Sequence, residues 1–516
     1  MSHSEKTTAE IQAAANRAAP DPVTDPHYAR RWWILALLGI AQLMVVLDAT
    51  IVNIALPHAQ SALGFSNNDR QWIVTGYSLA FGSLLLLGGR ISDLFGRKRT
   101  FIIGVIGFAA ASAFGGAAQN FGMLLTGRVI QGAFGALLAP ATLSLLTTTF
   151  RHPTERTRAM GIYGGIAGAG ASVGLLLGGV LTEYLDWRYV MYVNVLIAAI
   201  ALLGGLTLLK HVATPDRPHL DLVGTVLGGV GLFALVYGFS NASMSSGSSG
   251  WTKPATLGAL IGGAVLLVIF VLAEQRVSHP LLPLRVVADR NRAGAYLAMF
   301  FAAIGMFGVF LFLTYYLEEN LRWSAVKTGV AFLPLTLILV VVAALGNSLL
   351  TRVSARILVP FGLLIAAVGM ALLTNIGLTS DYAADVLPTL LLVGAGLGLV
   401  FAPSFTLGTL GVEPGDAGVA SAMVNVAQQI GGSIGTSLLN TIAAVVASGY
   451  IASHGASVTS AAGKQLVEVN ALLSSYHAVF WVAAGIYAGV ALLCALVLRS
   501  GVAIPRDGSA APMVHA

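Results

Sequence analysis

The chain has 516 residues, of which 56% are hydrophobic and only 10% charged, with a mean hydropathy of +0.82 and a formal net charge of +6. A soluble globular chain carries roughly 25% charged residues, so this composition excludes one and implies a protein that crosses a bilayer many times. The basic residues lie scattered in short loops, which argues against nucleic acid as a partner, and the single cysteine, Cys494, excludes an internal disulfide and a cysteine zinc site.

A membrane-spanning helix needs roughly 20 apolar residues. In chain order, fourteen segments meet that requirement: 33–56, 71–92, 100–118, 121–147, 159–182, 188–209, 222–242, 254–274, 293–317, 327–350, 357–377, 384–409, 416–447 and 477–498. The stretch 416–447 is long, and its outer part is expected to leave the bilayer. The first apolar run starts only near Trp32 and many follow, so it reads as a retained span and not a cleaved leader. The expected fold is therefore all-α and membrane-embedded. Residues 1–31 form a disordered cytoplasmic tail, 32–210 an N-terminal six-helix bundle, 211–292 a linker with two additional spans, 293–500 a C-terminal six-helix bundle, and 501–516 a cytoplasmic tail.

Lys and Arg placement sets the orientation. With the N-terminus inside, the cytoplasmic segments carry Arg90, Arg97, Lys98, Arg99, Arg151, Arg156, Arg158, Arg276, Arg285, Arg290 and Arg292. The opposite loops carry only Arg70, Arg188, Lys253, Arg322, Lys327 and Lys464. An even number of spans returns Arg499 and Arg506 to the cytoplasm. A multi-pass protein of the cytoplasmic membrane with both termini inside is expected, as a monomer in lipid.

Two charges lie deep in apolar spans: Asp48, in LDATIVNIALP, and Arg128, in LLTGRVIQGAFGALLAP. An ionisable group in hydrocarbon is costly and usually functional. At about 1.5 Å of rise per residue, Asp48 lies ~13 Å from the outer end of its span and Arg128 ~12 Å from the outer start of its own. Opposite charges at one depth should pair or share a wet cavity. Either protonation of Asp48 frees Arg128 and drives a conformational change, or the pair is permanent and fixes the helices. All ten histidines lie in tails, loops or span ends, so a histidine relay is not expected. Glu183 and Glu274 at span ends stay in play as acids.

The loop GGRISDLFGRKR sets Asp93 beside Arg97, Lys98 and Arg99. Gly89, Asp93, Gly96 and Arg97 are candidates for a gating network; the plainer alternative is basic anchoring with a tight turn at Gly96. A weak echo, GNSLLTRVSARI, follows span 10 without the aspartate. In span 13, Asn425, Gln429, Gly432, Thr436 and Asn440 recur at helical spacing, as a substrate wall or as interhelical hydrogen bonds. Span 9 is rich in Met and aromatics, with Met306 and Phe310 candidates for an adaptable pocket. No phosphate-binding GxxxxGK[ST] loop occurs, because Val326 precedes Lys327-Thr328. No zinc-protease motif, nucleophile elbow or metal cluster is visible, and neither enzyme activity nor a cofactor is expected.

Four stretches resemble the fourteen-span drug:proton antiporters of the major facilitator superfamily. They are LDATIVNIALP, the loop Gly89–Arg99, Arg128-Val129-Ile130-Gln131-Gly132, and the span 5 glycines Gly161, Gly170, Gly174, Gly178 and Gly179. WRYVMYVNV at 187–195 adds to the resemblance. It implies a transporter of alternating access that exports amphipathic drugs, antibiotics or antiseptics in exchange for protons. Asp48 would take a proton from outside, Arg128 would stabilise its charged form, Asp93 with Arg97 would gate the cytoplasmic side, and the glycine seam would limit leak. Two departures stand out. Leu175 occupies the place of a usual span 5 proline, which puts a proline kink in doubt, and Val195 and Leu196 stand where another proline is common. With one acid deep in a span, neutral or monocationic substrates are expected over dications. The alternatives are a same-fold exporter of one narrow solute, such as an amino acid or a self-made antibiotic, and a non-transporting membrane scaffold.

Overall fold

Long helices follow the apolar segments in order. The computed structural model describes residues 29–65, 67–150, 152–210, 221–244, 250–278, 280–455 and 460–501, and no strand occurs among them. The expected tails at 1–28 and 502–516 lie outside the described residues, as do 245–249 of the Ser/Gly-rich linker.

The first bundle comprises α1 (Arg31–Leu63), α2 (Asn67–Phe95), α3 (Arg97–Gly116), α4 (Phe121–Thr149), α5 (Pro153–Tyr184) and α6 (Tyr189–Leu208). Next come α7 (Leu222–Met244) and α8 (Pro254–Glu274). The second bundle comprises α9 (Arg290–Gly308), α10 (Leu333–Leu349, preceded by the short helix Ala325–Ala331), α11 (Ala355–Leu373), α12 (Leu387–Thr409), α13 (Ala417–His454) and α14 (Ala461–Val497). Among the described residues thirteen helices are long and apolar enough to cross a membrane, and α5 qualifies as a fourteenth when its two bent segments count as one span.

Several helices outrun their apolar segments, α13 and α14 being the longest of them. The 38 residues of α13 rise about 57 Å at 1.5 Å each, well beyond a ~30 Å hydrocarbon core. Helix α14 starts at Ala461 instead of 477, because helical hydrogen bonding continues through Lys464, Gln465 and Glu468. Hydropathy marks the bilayer, not the end of the helix.

Within the first bundle α1 packs on α5 and α6, and α4 packs on α2 and α3; the second repeats this with α9 on α13 and α14, and α12 on α10 and α11. The bundles meet along two seams, α5 against α10 and α12, and α2 against α13. Helix α7 lies against α2 and α13, beside the second seam, and carries α8 on its far side.

Glycines set the seams. Gly170, Gly174 and Gly178 turn toward α1: a Cβ at Gly170 would stand 2.6 Å from Val46, one at Gly178 3.0 Å from Ile51, and one at Gly174 would collide with Thr50. Gly161, Gly164 and Gly165 turn toward the other bundle, against α10 and α12. Helix α5 bends by 43° between Glu155–Gly170 and Ser172–Tyr184. The bend forms without proline, in the stretch where glycines are dense.

Basic side chains gather at the end where α1 begins and α14 ends, and they close helix C-termini there. Lys98 donates to Leu209 O at 2.5 Å at the end of α6, Arg290 to Leu496 O at 2.8 Å at the end of α14, and Arg156 to Thr409 O at 3.0 Å at the end of α12. Unpaired carbonyls and the negative end of the helix dipole both favour a cation at these places.

Candidate functional site

Gly127 and Gly132 flank Arg128 and Gln131 on α4. A Cβ at Gly127 would lie 2.9 Å from the Gly115 backbone on α3, and one at Gly132 3.1 Å from the Phe81 amide on α2. Missing side chains thus let three backbones close around two polar ones.

The result is a buried hub. Asp48 is 0% exposed and Arg128 1%. Arg128 Nη1 donates to Asp48 Oδ2 at 2.5 Å and to Gln131 Oε1 at 2.7 Å. The other carboxylate oxygen accepts from Gln131 Nε2 and from Asn194 Nδ2, each at 2.7 Å. Ser112 Oγ accepts from both amides, at 3.0 and 3.2 Å, and donates to Met191 O at 3.0 Å. Helices α1, α3, α4 and α6 therefore converge on one carboxylate. A buried ion pair is tolerable when its remaining valences are met, and here three donors meet the acid. Asn194 Oδ1 has no donor among the described residues.

Tyr77 separates this hub from the space between the bundles. Its ring centroid lies 4.3 Å from the Arg128 guanidinium carbon, and its hydroxyl donates to Val45 O at 3.4 Å. Tyr77 stacks on Phe81, with centroids 5.6 Å apart. Both rings line a narrow cleft, together with Gln42, Val45, Val46, Ala49 and Thr50 of α1. The facing wall is Met306 and Phe307 of α9 with Asn425, Gln428 and Gln429 of α13. Among the described residues no charged side chain lines the cleft. Gln42 is tied to the bundle by Tyr163, whose hydroxyl donates to it at 2.7 Å.

Three of the five cavity candidates thus face the cleft: Met306, Asn425 and Gln429. Phe310 instead packs on Phe332, with centroids 5.0 Å apart, just inside a π-helical turn at Val309–Leu313. The Thr436 hydroxyl turns back to Gly432 O and Ser433 O, both at 3.0 Å. A helical stripe wraps too far round its axis for every member to face one cleft.

At the basic end the bundles are joined by the conspicuous loop. Gly96 takes φ +91°, a conformation that favours glycine, and turns α2 into α3. Asp93 accepts the Gly418 amide at 3.1 Å, one residue into α13, and lies 3.6 Å from Arg97. Gly89 and Gly418 abut: a Cβ on Gly89 would stand 2.7 Å from the Gly418 carbonyl oxygen. Arg285 pairs with Asp416 at 2.8 Å and Glu413 at 3.0 Å, and the Asp416 hydrogen bond pushes its pKa above the ordinary value. The Asn347 amide donates to Thr157 O across the other seam.

Ser112, Tyr77 and Gln42 carry no sequence signal as site residues. Gln131 and Asn194 sit inside conspicuous motifs, yet only the fold gives them contacts to Asp48.

Known proteins share this plan. A family model described as Major Facilitator Superfamily matches residues 38–436. The puromycin resistance protein pur8 of Streptomyces alboniger is 49% identical over 87% of each chain. The cephamycin export protein CmcT of Amycolatopsis lactamdurans is 37% identical over 81% of this chain and 87% of its own. Among solved structures, the human organic anion transporter MFSD10 superposes with TM-score 0.59 at 16% identity, over 92% of this chain and 100% of that one. The proton:xylose symporter XylE gives 0.60 at 13% identity, over 91% and 95%. These two share the fold. From the family match and the shared architecture together, the chain belongs to the major facilitator superfamily.

Proposed function

We propose that the protein exports antibiotics and related amphipathic drugs across the cytoplasmic membrane in exchange for protons, by alternating access of the cleft between its bundles. Asp48 carries this reading: a fully buried carboxylate paired with Arg128, adjacent in sequence to cleft-lining Ala49 and screened by Tyr77. Ionised, it is matched by its three donors. Protonated, it no longer balances Arg128, and the packing of α1 on α4 loses its electrostatic reason. A bistable pair of bundles converts such a local charge change into a global one.

In this mechanism the basic end faces the cytoplasm, and the contacts of Asp93 with Gly418 and of Arg156 with Thr409 hold that side shut. The proton reaches Asp48 from the opposite side and leaves to the cytoplasm after the bundles rock. Each charge moved through the membrane potential supplies ~2.3 kcal/mol per 100 mV. The likeness to pur8, a protein named for puromycin resistance, makes puromycin the first substrate to test. Tyr77 and Phe81 offer it stacking faces, and the carboxamides of Gln42, Asn425, Gln428 and Gln429 offer hydrogen bonds.

Proteoliposomes with an imposed pH gradient test this. Wild type should move puromycin opposite to the imposed proton flow, and Asp48→Asn, properly assembled, should not. Gradient-independent transport that is equal in both would overturn the reading. The uncharged cleft also predicts preference for a monovalent over a bivalent quaternary ammonium. Competition by unrelated dyes separates a broad exporter from one dedicated to a single antibiotic, an alternative favoured by the likeness to a protein named for one drug.

A further inference from the structure

A second buried acid pair lies where the two extra helices meet the first bundle. Asp221 precedes α7 by one residue and Glu274 ends α8; they are 9% and 4% exposed. One oxygen of each is satisfied by the backbone. Asp221 Oδ1 accepts the Gly224 amide at 2.8 Å, and Glu274 Oε2 accepts the Leu282 amide at 3.0 Å. The other two oxygens, Asp221 Oδ2 and Glu274 Oε1, are buried without a donor among the described residues. Both press on the same face of Gly224, where a Cβ would collide with each.

Two buried carboxylates facing one another without a donor cannot both stay ionised cheaply. A single proton between them satisfies both orphan oxygens. Among the described residues, the charged group that reaches the pair from a neighbouring helix is Arg90 of α2, itself 5% exposed with Nε unpartnered. The segment after α8 contributes the Leu282 amide. Arg90 also lies within electrostatic reach of Asp93, while Asp416 at the start of α13 acts on Asp93. Arg90 therefore stands between the acid pair and the contact that joins the bundles at the basic end.

We propose that Asp221 and Glu274 form a second proton-binding site, in which one proton bridges Asp221 Oδ2 and Glu274 Oε1, and that Arg90 ties its occupancy to the Asp93–Gly418 contact. With the proton the pair carries one negative charge facing Arg90; without it, two. Proton loss strengthens the pull of α7 and α8 on Arg90 at the expense of Asp93. The site stands whether or not the chain exchanges drug for protons, since its proton is read directly.

Infrared difference spectroscopy of the purified full chain across pH tests it. The wild type should show a protonated-carboxyl C=O band that titrates, persists in Asp48→Asn, and disappears in both Glu274→Gln and Asp221→Asn. In each of those two variants the remaining acid faces an amide that donates to it, so it sits satisfied as a carboxylate. Asn can still cap Gly224 and Gln can still accept from Leu282, so neither substitution removes a backbone bond. Arg90→Gln should move the midpoint to higher pH by about one unit, a tenfold tighter proton. A band indifferent to both acid substitutions overturns the site. A midpoint unmoved by Arg90→Gln overturns the link to the bundle contact.

Discussion

The Arg128 guanidinium lies 4.3 Å from the centroid of the Tyr77 ring, and that same ring lines the cleft between the bundles. One aromatic side chain thus separates the buried charge from the place a guest would occupy. Tyr77→Phe keeps the ring over Arg128 and loses a long hydrogen bond, so transport should stay within about twofold of wild type. Tyr77→Leu removes a cation–π contact of ~0.5–2 kcal/mol and exposes the hub. It should raise KM for drug and add a substrate-independent proton leak, measured by a pH-sensitive dye inside proteoliposomes. Equal behaviour of the two variants would remove the partition role.

Removing one partner of a buried ion pair leaves the other uncompensated. Asp48→Asn should therefore lower stability by about 3–5 kcal/mol as well as abolish proton coupling. Asp48→Asn combined with Arg128→Met removes the orphaned charge and should recover most of the thermal stability without any transport. Recovery of both stability and coupled transport would mean that the pair only braces the helices.

Gly174 faces Thr50 and the Leu47 carbonyl, with a built Cβ 3.0 Å from the latter. Gly174→Ala should cost about 1–3 kcal/mol through overpacking. Thr50→Ala in the same chain removes the colliding hydroxyl and should restore about half. If Gly174→Ala melts as wild type does, α1 and α5 are not held by this approach.

Asp93 brings its carboxylate to the N-terminal turn of α13, where charge and dipole agree. Asp93→Asn should weaken that contact by about 0.3–2 kcal/mol and let the basic end open more often. Spin labels at exposed Phe95 and Glu413, in a chain with Cys494 replaced, report the separation of the two helix ends. An added long-distance population is expected in the variant. A distribution identical to that of the parent would show that the carboxylate does not hold the seam.

Hydropathy and charge alone determine that this chain crosses a bilayer about fourteen times, that Asp48 and Arg128 lie at one depth, and that Gly96 makes a turn. Each follows from residues next to one another in sequence. Hydropathy sums over a window, depth follows from helical rise, and a left-handed turn is a property of a single residue. The bend in α5 escaped this reasoning because a run of glycines permits a bend without announcing one. The polar partners of Asp48 were also beyond it. Ser112, Gln131 and Asn194 meet at Asp48 only because α3, α4 and α6 are each rotated to one azimuth, which small residues on distant segments decide. Likewise Met306 faces the cleft and Phe310, about one turn further along the chain, does not. Asp221 and Glu274 lie 53 residues apart in the chain, and only the packing of α7 on α8 presses them together at Gly224. Helical rotation and packing are collective properties of the folded bundles, so the partners of each buried charge had to be found in three dimensions.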